Sequence, residues 1–127
     1  GDHPDRAINM IDSNPSTSWS SRWFDNNQFR DETSVTIVVK LQQKATVSSV
    51  TLNMDPATSG GEVVVRNVTD PANPRGGTEL AMSTLSPTTT IQLPTAVETD
   101  SIALQFRSMP KGQDGRNSAW ISELTVQ

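Results

Sequence analysis

Asp12, Asn14, Ser16, Thr17 and Ser18 crowd five oxygen-bearing side chains into the stretch NMIDSNPSTSW, residues 9 to 19. Hard oxygen donors at that density suit calcium, which takes about six to eight oxygens in a flexible cage. The same residues also build Asx and ST turns, in which each side chain bonds its own backbone and merely leads the chain into a strand. One carboxylate is too little charge to hold the ion tightly, so a calcium reading needs a second acid from elsewhere. Glu123 is the candidate. In AWISELTV it alternates with Trp120, Ser122, Leu124 and Val126 and is expected on the opposite side of its strand. The plain alternative for Glu123 is a solvated acid on an outer face.

A second constellation lies in SSRWFDNNQFRDET, residues 20 to 33, where Trp23, Phe24 and Phe29 mix with Arg22 and Arg30 in a segment without clean alternation. Aromatic rings stack on the apolar faces of sugars while Arg, Asn and Gln bind hydroxyls or carboxylates, so this segment is the best candidate for a glycan surface. Against it stands the need of a chain with 6 aromatics to use them inside, with Trp23 or Phe24 plugging an end of the fold. In RSMPKGQDGRNS, Arg107, Lys111 and Arg116 could meet an anion, or simply solvate a hairpin tip.

Catalytic chemistry finds little to work with. The single histidine, His3, sits at the start of the chain, where nothing in the sequence holds an imidazole against a serine and an acid. The 14 acids are scattered over turns, so no glycosidase pair stands out, and there is no phosphate loop, dinucleotide fingerprint or zinc spacing. The sequence reads as a non-enzyme.

The elements that must position these groups are strands. SVTIVVKL places Val35, Ile37, Val39 and Leu41 on one face; VSSVTLNM does so with Val50, Leu52 and Met54; GEVVVRNV separates Val63 and Val65 from Val64, Arg66 and Val68. TTTIQL, SIALQF, AWISELTV and a shorter TELAM complete the set. Turns are expected at DPATSGG, TDPANPRGG, LSPT, LPTAVETD and MPKGQDGRN, each combining Pro or Gly with Asp, Asn or Ser or Thr. No stretch carries a helical stripe. Short strands with regular turns predict an all-β, antiparallel sandwich of the jelly-roll kind. At 127 residues the chain has the length of one domain, residues 1 to 127. A net charge of -4 and the lack of any basic block argue against a nucleic-acid partner. No apolar run approaches the length of a membrane span, and without cysteine there is neither a disulfide framework nor a thiolate metal site.

The two ends carry a resemblance. INMIDSNPSTSW and WISELTV resemble the signature ends of the galactose-binding-like, or discoidin-type (F5/8 type C-like), jelly roll, whose first segment runs as A, x, D, G, N, x, x, T, x, W and whose last strand contains I, S, E and I or L. The resemblance implies an antiparallel β-sandwich whose ends meet at one edge around a structural calcium. Carried onto this chain, it gives Asp12 a carboxylate ligand, Thr17 a hydroxyl, Asn9 and Asn14 backbone carbonyls, and Glu123 the distant carboxylate. Trp19 would then be a core residue beside the loop. Ser13 stands where that family often has glycine.

A narrower likeness involves GDHPDRAINMIDSNPSTSW, TIVVKL and SAWISELTV after GQDGRN. It is similar to the C-terminal extracellular domain of actinobacterial MurJ/MviN-type lipid II flippases. That resemblance implies a location outside the membrane, in the cell-wall space, tethered through a membrane-embedded parent, with an upstream strand preceding Gly1. Two functions follow from it as expectations: recognition of cell-wall glycan or a peptidoglycan precursor through Arg22, Trp23, Phe24, Phe29, Arg30 and Arg116, or a structural or protein-interaction role among cell-wall synthesis proteins with no glycan site. Fold alone does not choose between them.

Overall fold

The computed structural model describes residues 10–11, 17–21, 35–111 and 115–127, and the architecture below is that of these residues. Six strands follow one another: β1 (Trp19–Ser20), β2 (Val35–Met54), β3 (Glu62–Asn67), β4 (Thr78–Thr84), β5 (Thr88–Ser108) and β6 (Trp120–Val126). A 3-10 turn, Pro74–Gly76, lies in the connection before β4. Every strand pairing is antiparallel, and the order across the sheet is β1-β6-β2-β5-β3-β4.

β2 and β5, at 20 and 21 residues, decide the shape. Fully extended, each would reach nearly 70 Å, roughly twice the diameter expected of a chain this size, so both must bend. They bend at two irregularities. Between the pairs Lys40↔Ser101 and Ala45↔Thr99, β2 carries residues 41–44 against Asp100 alone; between Val47↔Val97 and Ser49↔Gln92, β5 carries residues 93–96 against Ser48 alone. Surplus residues on opposite strands turn the ribbon, as bulges do. The first halves and second halves of these strands therefore serve two layers. Residues 35–40 of β2 lie beside residues 101–106 of β5, which pair with β3 and through it β4; residues 45–54 of β2 lie between residues 88–99 of β5 and β6, which pairs with β1.

The inward faces of both layers meet in one cluster. Val50, Leu52, Ile91, Leu93 and Leu124 come from one layer, and Val63, Val65, Ile102, Leu104 and Phe106 from the other. Ile37, Val39 and Leu41 pack against it half-buried, while Val38 is 44% exposed on the other face, as the alternation in SVTIVVKL requires. Trp19 is buried at 4% exposure in the same core, as expected.

Two expectations need correction. LPTAVETD is not a turn: residues 93–100 continue β5, because Val97 and Thr99 pair with Val47 and Ala45, and Pro94 sits inside the bulge, where a missing N–H breaks no ladder bond. In β6, Ile121 rather than Trp120 points into the core. The register jumps from Asn53↔Glu123 to Met54↔Ile121, leaving Ser122 as an extra residue whose hydroxyl donates to the Asn53 carbonyl at 3.0 Å. That bulge reverses the alternation, so Ile121 is fully buried and Trp120 half-buried.

Candidate functional site

Of the residues singled out in the sequence, Asn9, Asp12, Asn14, Arg22, Trp23, Phe24, Phe29 and Arg30 lie outside the described residues. Thr17, Glu123 and Arg116 are described, and so are the points from which the other residues are anchored.

The junction of the chain ends comes first. β1 pairs with β6 as Trp19↔Ile121 and Ser20↔Trp120. Thr17 lies two residues before Trp19 on the first strand's side of this junction, and Glu123 lies two residues after Ile121 on the last strand's. Glu123 lies on the face of β6 away from Leu124, as expected, and it is not a freely solvated acid. Its Oε1 is buried and accepts no hydrogen bond among the described residues. A carboxylate oxygen taken out of water without a donor costs on the order of 1–3 kcal/mol or more, and a cation is the partner that removes the cost. This orphaned carboxylate oxygen is of the hard-donor kind that calcium takes, although the described residues alone bring together no group of three or more acids, histidines or cysteines.

The second assembly is an end of the sandwich where four segments converge. Ser21, buried at 4%, donates its N–H to the Ala119 carbonyl at 2.9 Å, and its hydroxyl accepts from the Ala119 N–H at 3.0 Å while donating to Met109 Sδ at 3.8 Å. Ser118 N–H donates to the Pro110 carbonyl, and Trp120 Nε1 to Ser118 Oγ at 2.9 Å. The turn after β2 joins them: Asp55 N–H donates to the Trp120 carbonyl, and Ser59 and Lys111 exchange both backbone bonds. Asp55 Oδ1 accepts from Ala57 N–H, an Asx turn that leads into Gly60 and Gly61, both at positive φ. A Cβ on Gly61 would stand 2.6 Å from Pro110 N, so glycine is what lets the 55–61 turn lie against the 109–119 loop.

These contacts fix the roots of the aromatic segment. It leaves the described chain at Ser21, bonded to Ala119 and Met109, and re-enters at Val35, opposite Phe106. Phe106 is three residues upstream of Met109 in the same chain. Both roots therefore stand at the end of the sandwich that holds the 109–119 loop.

The cations expected to meet an anion each have a partner within the chain. Arg107 pairs with Glu79 at 3.4 Å, both partly exposed; Lys111 Nζ donates to the Gly115 carbonyl at 3.4 Å; Arg116 is exposed and already has a partner. A polar group that pattern reading did not single out lies on the outer face of the second layer, where Arg66 Nε donates to Gln105 Oε1 at 2.9 Å and a guanidinium N–H donates to the Gly77 carbonyl at 3.0 Å. Gln105 is 3% exposed. The alternation marked Arg66 as outward-facing, but nothing local in sequence links positions 66, 77 and 105.

No family model matches the chain, and no curated protein does. Solved structures do. The CBM32 of AlyQ, in complex with 4,5-unsaturated mannuronic acid, superposes with a TM-score of 0.68 at 21% identity, covering 94% of this chain and 84% of that one. CBM32-3 from a family 31 glycoside hydrolase of Clostridium perfringens gives 0.69 at 16% identity, with 93% and 79% covered. The family 32 CBM of C. perfringens NanJ, in complex with galactose, gives 0.60 at 20% identity, with 93% and 81% covered. At these identities the likeness establishes the fold alone: the chain is an all-β antiparallel sandwich with the fold that these CBM32 modules adopt.

Proposed function

We propose that the chain is a non-catalytic glycan-recognition module whose sugar-facing surface is the end of the sandwich where Ser21, Val35, the 55–61 turn and the 109–119 loop meet. The observation that carries this reading is the rooting of the segment 22–34 at that end, through Ser21 to Ala119 and Met109 and through Val35 to Phe106. Trp23, Phe24 and Phe29 supply stacking faces there, and Arg22, Arg30 and Arg116 supply donors to hydroxyls or carboxylates. The sugar complexes of the AlyQ and NanJ modules, which share the fold, support it.

Calcium belongs to the proposal as a structural ion. Asp12, Thr17 and Glu123, with carbonyls of Asn9 and Asn14, would hold it, and the ion would supply the positive charge that compensates the carboxylates. The chain's own contribution is Glu123 Oε1, buried and without a hydrogen-bond partner among the described residues, on the strand that pairs with β1.

The finer reading places the module in the cell-wall space beside a MurJ/MviN-type lipid II flippase, with peptidoglycan, its precursor or another wall glycan as ligand. It rests on the sequence resemblance of the two chain ends and of TIVVKL. The test is electrophoresis of the chain through gels carrying solubilised peptidoglycan, arabinogalactan, a galactan or an alginate, each with calcium and with chelator. Retardation in at least one glycan gel is expected. Unretarded migration in all of them would turn the assignment toward a scaffold that docks cell-wall synthesis proteins.

A further inference from the structure

Of the described aromatic residues, Trp19 and Phe106 lie in the core and Trp120 does not. Had WISELTV alternated without interruption, Trp120 would share the inward face with Leu124 and bury its indole. The extra residue at Ser122 prevents that. Ile121 takes the core position at 0% exposure, and Trp120 is left half-buried at the start of β6, apart from the residues packed against the core cluster. Burying a tryptophan is among the largest apolar gains open to a chain with 6 aromatics. A bulge that forgoes this gain is of the kind that re-aims a side chain toward a functional surface.

The ring is also held in place. The backbone of Trp120 is fixed on both sides, by pairing with Ser20 of β1 and by the Asp55 N–H, which donates to its carbonyl at 3.1 Å. Its Nε1 donates to Ser118 Oγ at 2.9 Å, and Ser118, 3% exposed, is anchored in turn by its N–H to the Pro110 carbonyl at 3.0 Å. Ser118 precedes β6, so this bond draws the indole toward the end of the sandwich where the 55–61 turn and the 109–119 loop meet. An indole has one N–H and no other polar atom. With that donor satisfied inside the protein, the exposed part of the ring offers a ligand only apolar and π surface.

We infer that Trp120 is a stacking platform for a pyranose ring, a sugar-contacting residue carried by the sheet itself. A pyranose presents C–H groups on one face, which pack on an indole, while the hydroxyls at its edge stay free for polar groups of the neighbouring loops. Because the Ser118 bond orders the side chain beforehand, little rotamer freedom is lost on binding. The indole brings neither charge nor a free donor, so Trp120 contributes affinity for the ring and does not select between a neutral hexose and a uronate. The inference rests on the glycan reading of this end and adds to it a contact outside the segment 22–34.

The test is electrophoresis of the whole chain through the same glycan gels at a series of glycan concentrations, with thermal unfolding of each variant. Trp120→Leu keeps an apolar side chain and removes the π-face; Trp120→Phe keeps a ring and loses the bond to Ser118. The expected result is a retarded wild type, a folded Trp120→Leu bound at least about tenfold more weakly, and Trp120→Phe between the two. If the wild type is retarded and a folded Trp120→Leu is retarded equally, or Trp120→Phe binds no better than Trp120→Leu, this inference falls while the glycan reading stands. If Trp120→Leu does not fold, the ring is structural and the inference falls in the same way. If no glycan retards the wild type, the glycan reading falls and takes this inference with it.

Discussion

Replacing Glu123 by methionine should stabilise or destabilise the protein depending on whether calcium is present, and the reversal of sign is what identifies the site. In chelator, the wild type keeps a buried carboxylate oxygen without a donor, at a cost of about 1–3 kcal/mol. Methionine has similar length and no such oxygen, so under chelation Glu123→Met should be the more stable protein by about that amount. For a chain of this length each kcal/mol moves the midpoint by about 4 °C, giving a rise of about 4–12 °C. In calcium at about 100 times its dissociation constant, the wild type gains about 2.7 kcal/mol, or about 11 °C, which the variant largely forgoes. The order of the two midpoints should therefore close or invert on adding the ion. The assay is thermal unfolding by circular dichroism in chelator and in millimolar calcium, with magnesium as control. If the wild type is the more stable protein in chelator and neither midpoint responds to calcium, the argument from the orphaned oxygen is wrong.

Other outcomes follow from the same structure. Trp19→Ala, at a residue 4% exposed in the core, should cost about 3–5 kcal/mol in urea unfolding; a loss below about 1 kcal/mol would contradict its place there. Gly61→Ala forces a Cβ to 2.6 Å from Pro110 N at a positive φ, and should cost at least about 1–3 kcal/mol and weaken glycan retardation as well, because it parts the 55–61 turn from the 109–119 loop. Glu79→Ala breaks a partly exposed pair with Arg107 and should change stability by less than about 1 kcal/mol, measured the same way.

The fold was legible where local pattern and burial agree. Val63 and Val65 alternate with Val64 and Arg66 in the sequence and point into the core, and Val35, Ile37 and Val39 behave likewise. What could not be read was continuity. β2 and β5 each look like two strands, because QQK interrupts the apolar alternation of one and LPTA carries turn chemistry in the other; only pairing with a distant partner holds them extended. The Ser122 bulge was hidden for a similar reason. WISELTV alternates cleanly, and the offset that turns Ile121 inward exists only in register with Asn53 and Met54. At the chain ends, the meeting of Thr17 and Glu123 is an expectation that came from the resemblance; the structure shows that the strands carrying them, β1 and β6, pair with each other. The burial of Glu123 Oε1 had no local signal, since a glutamate in a strand reads as solvated.

The most direct test of the glycan assignment is retardation of the wild type and Trp23→Ala side by side in glycan gels, with unfolding midpoints measured for both. The account predicts a wild type held back by at least one glycan and a folded variant, with its midpoint largely intact, that runs unretarded. A variant that binds as the wild type does, or one that loses binding only because it unfolds, would contradict it by taking Trp23 off the sugar-facing surface.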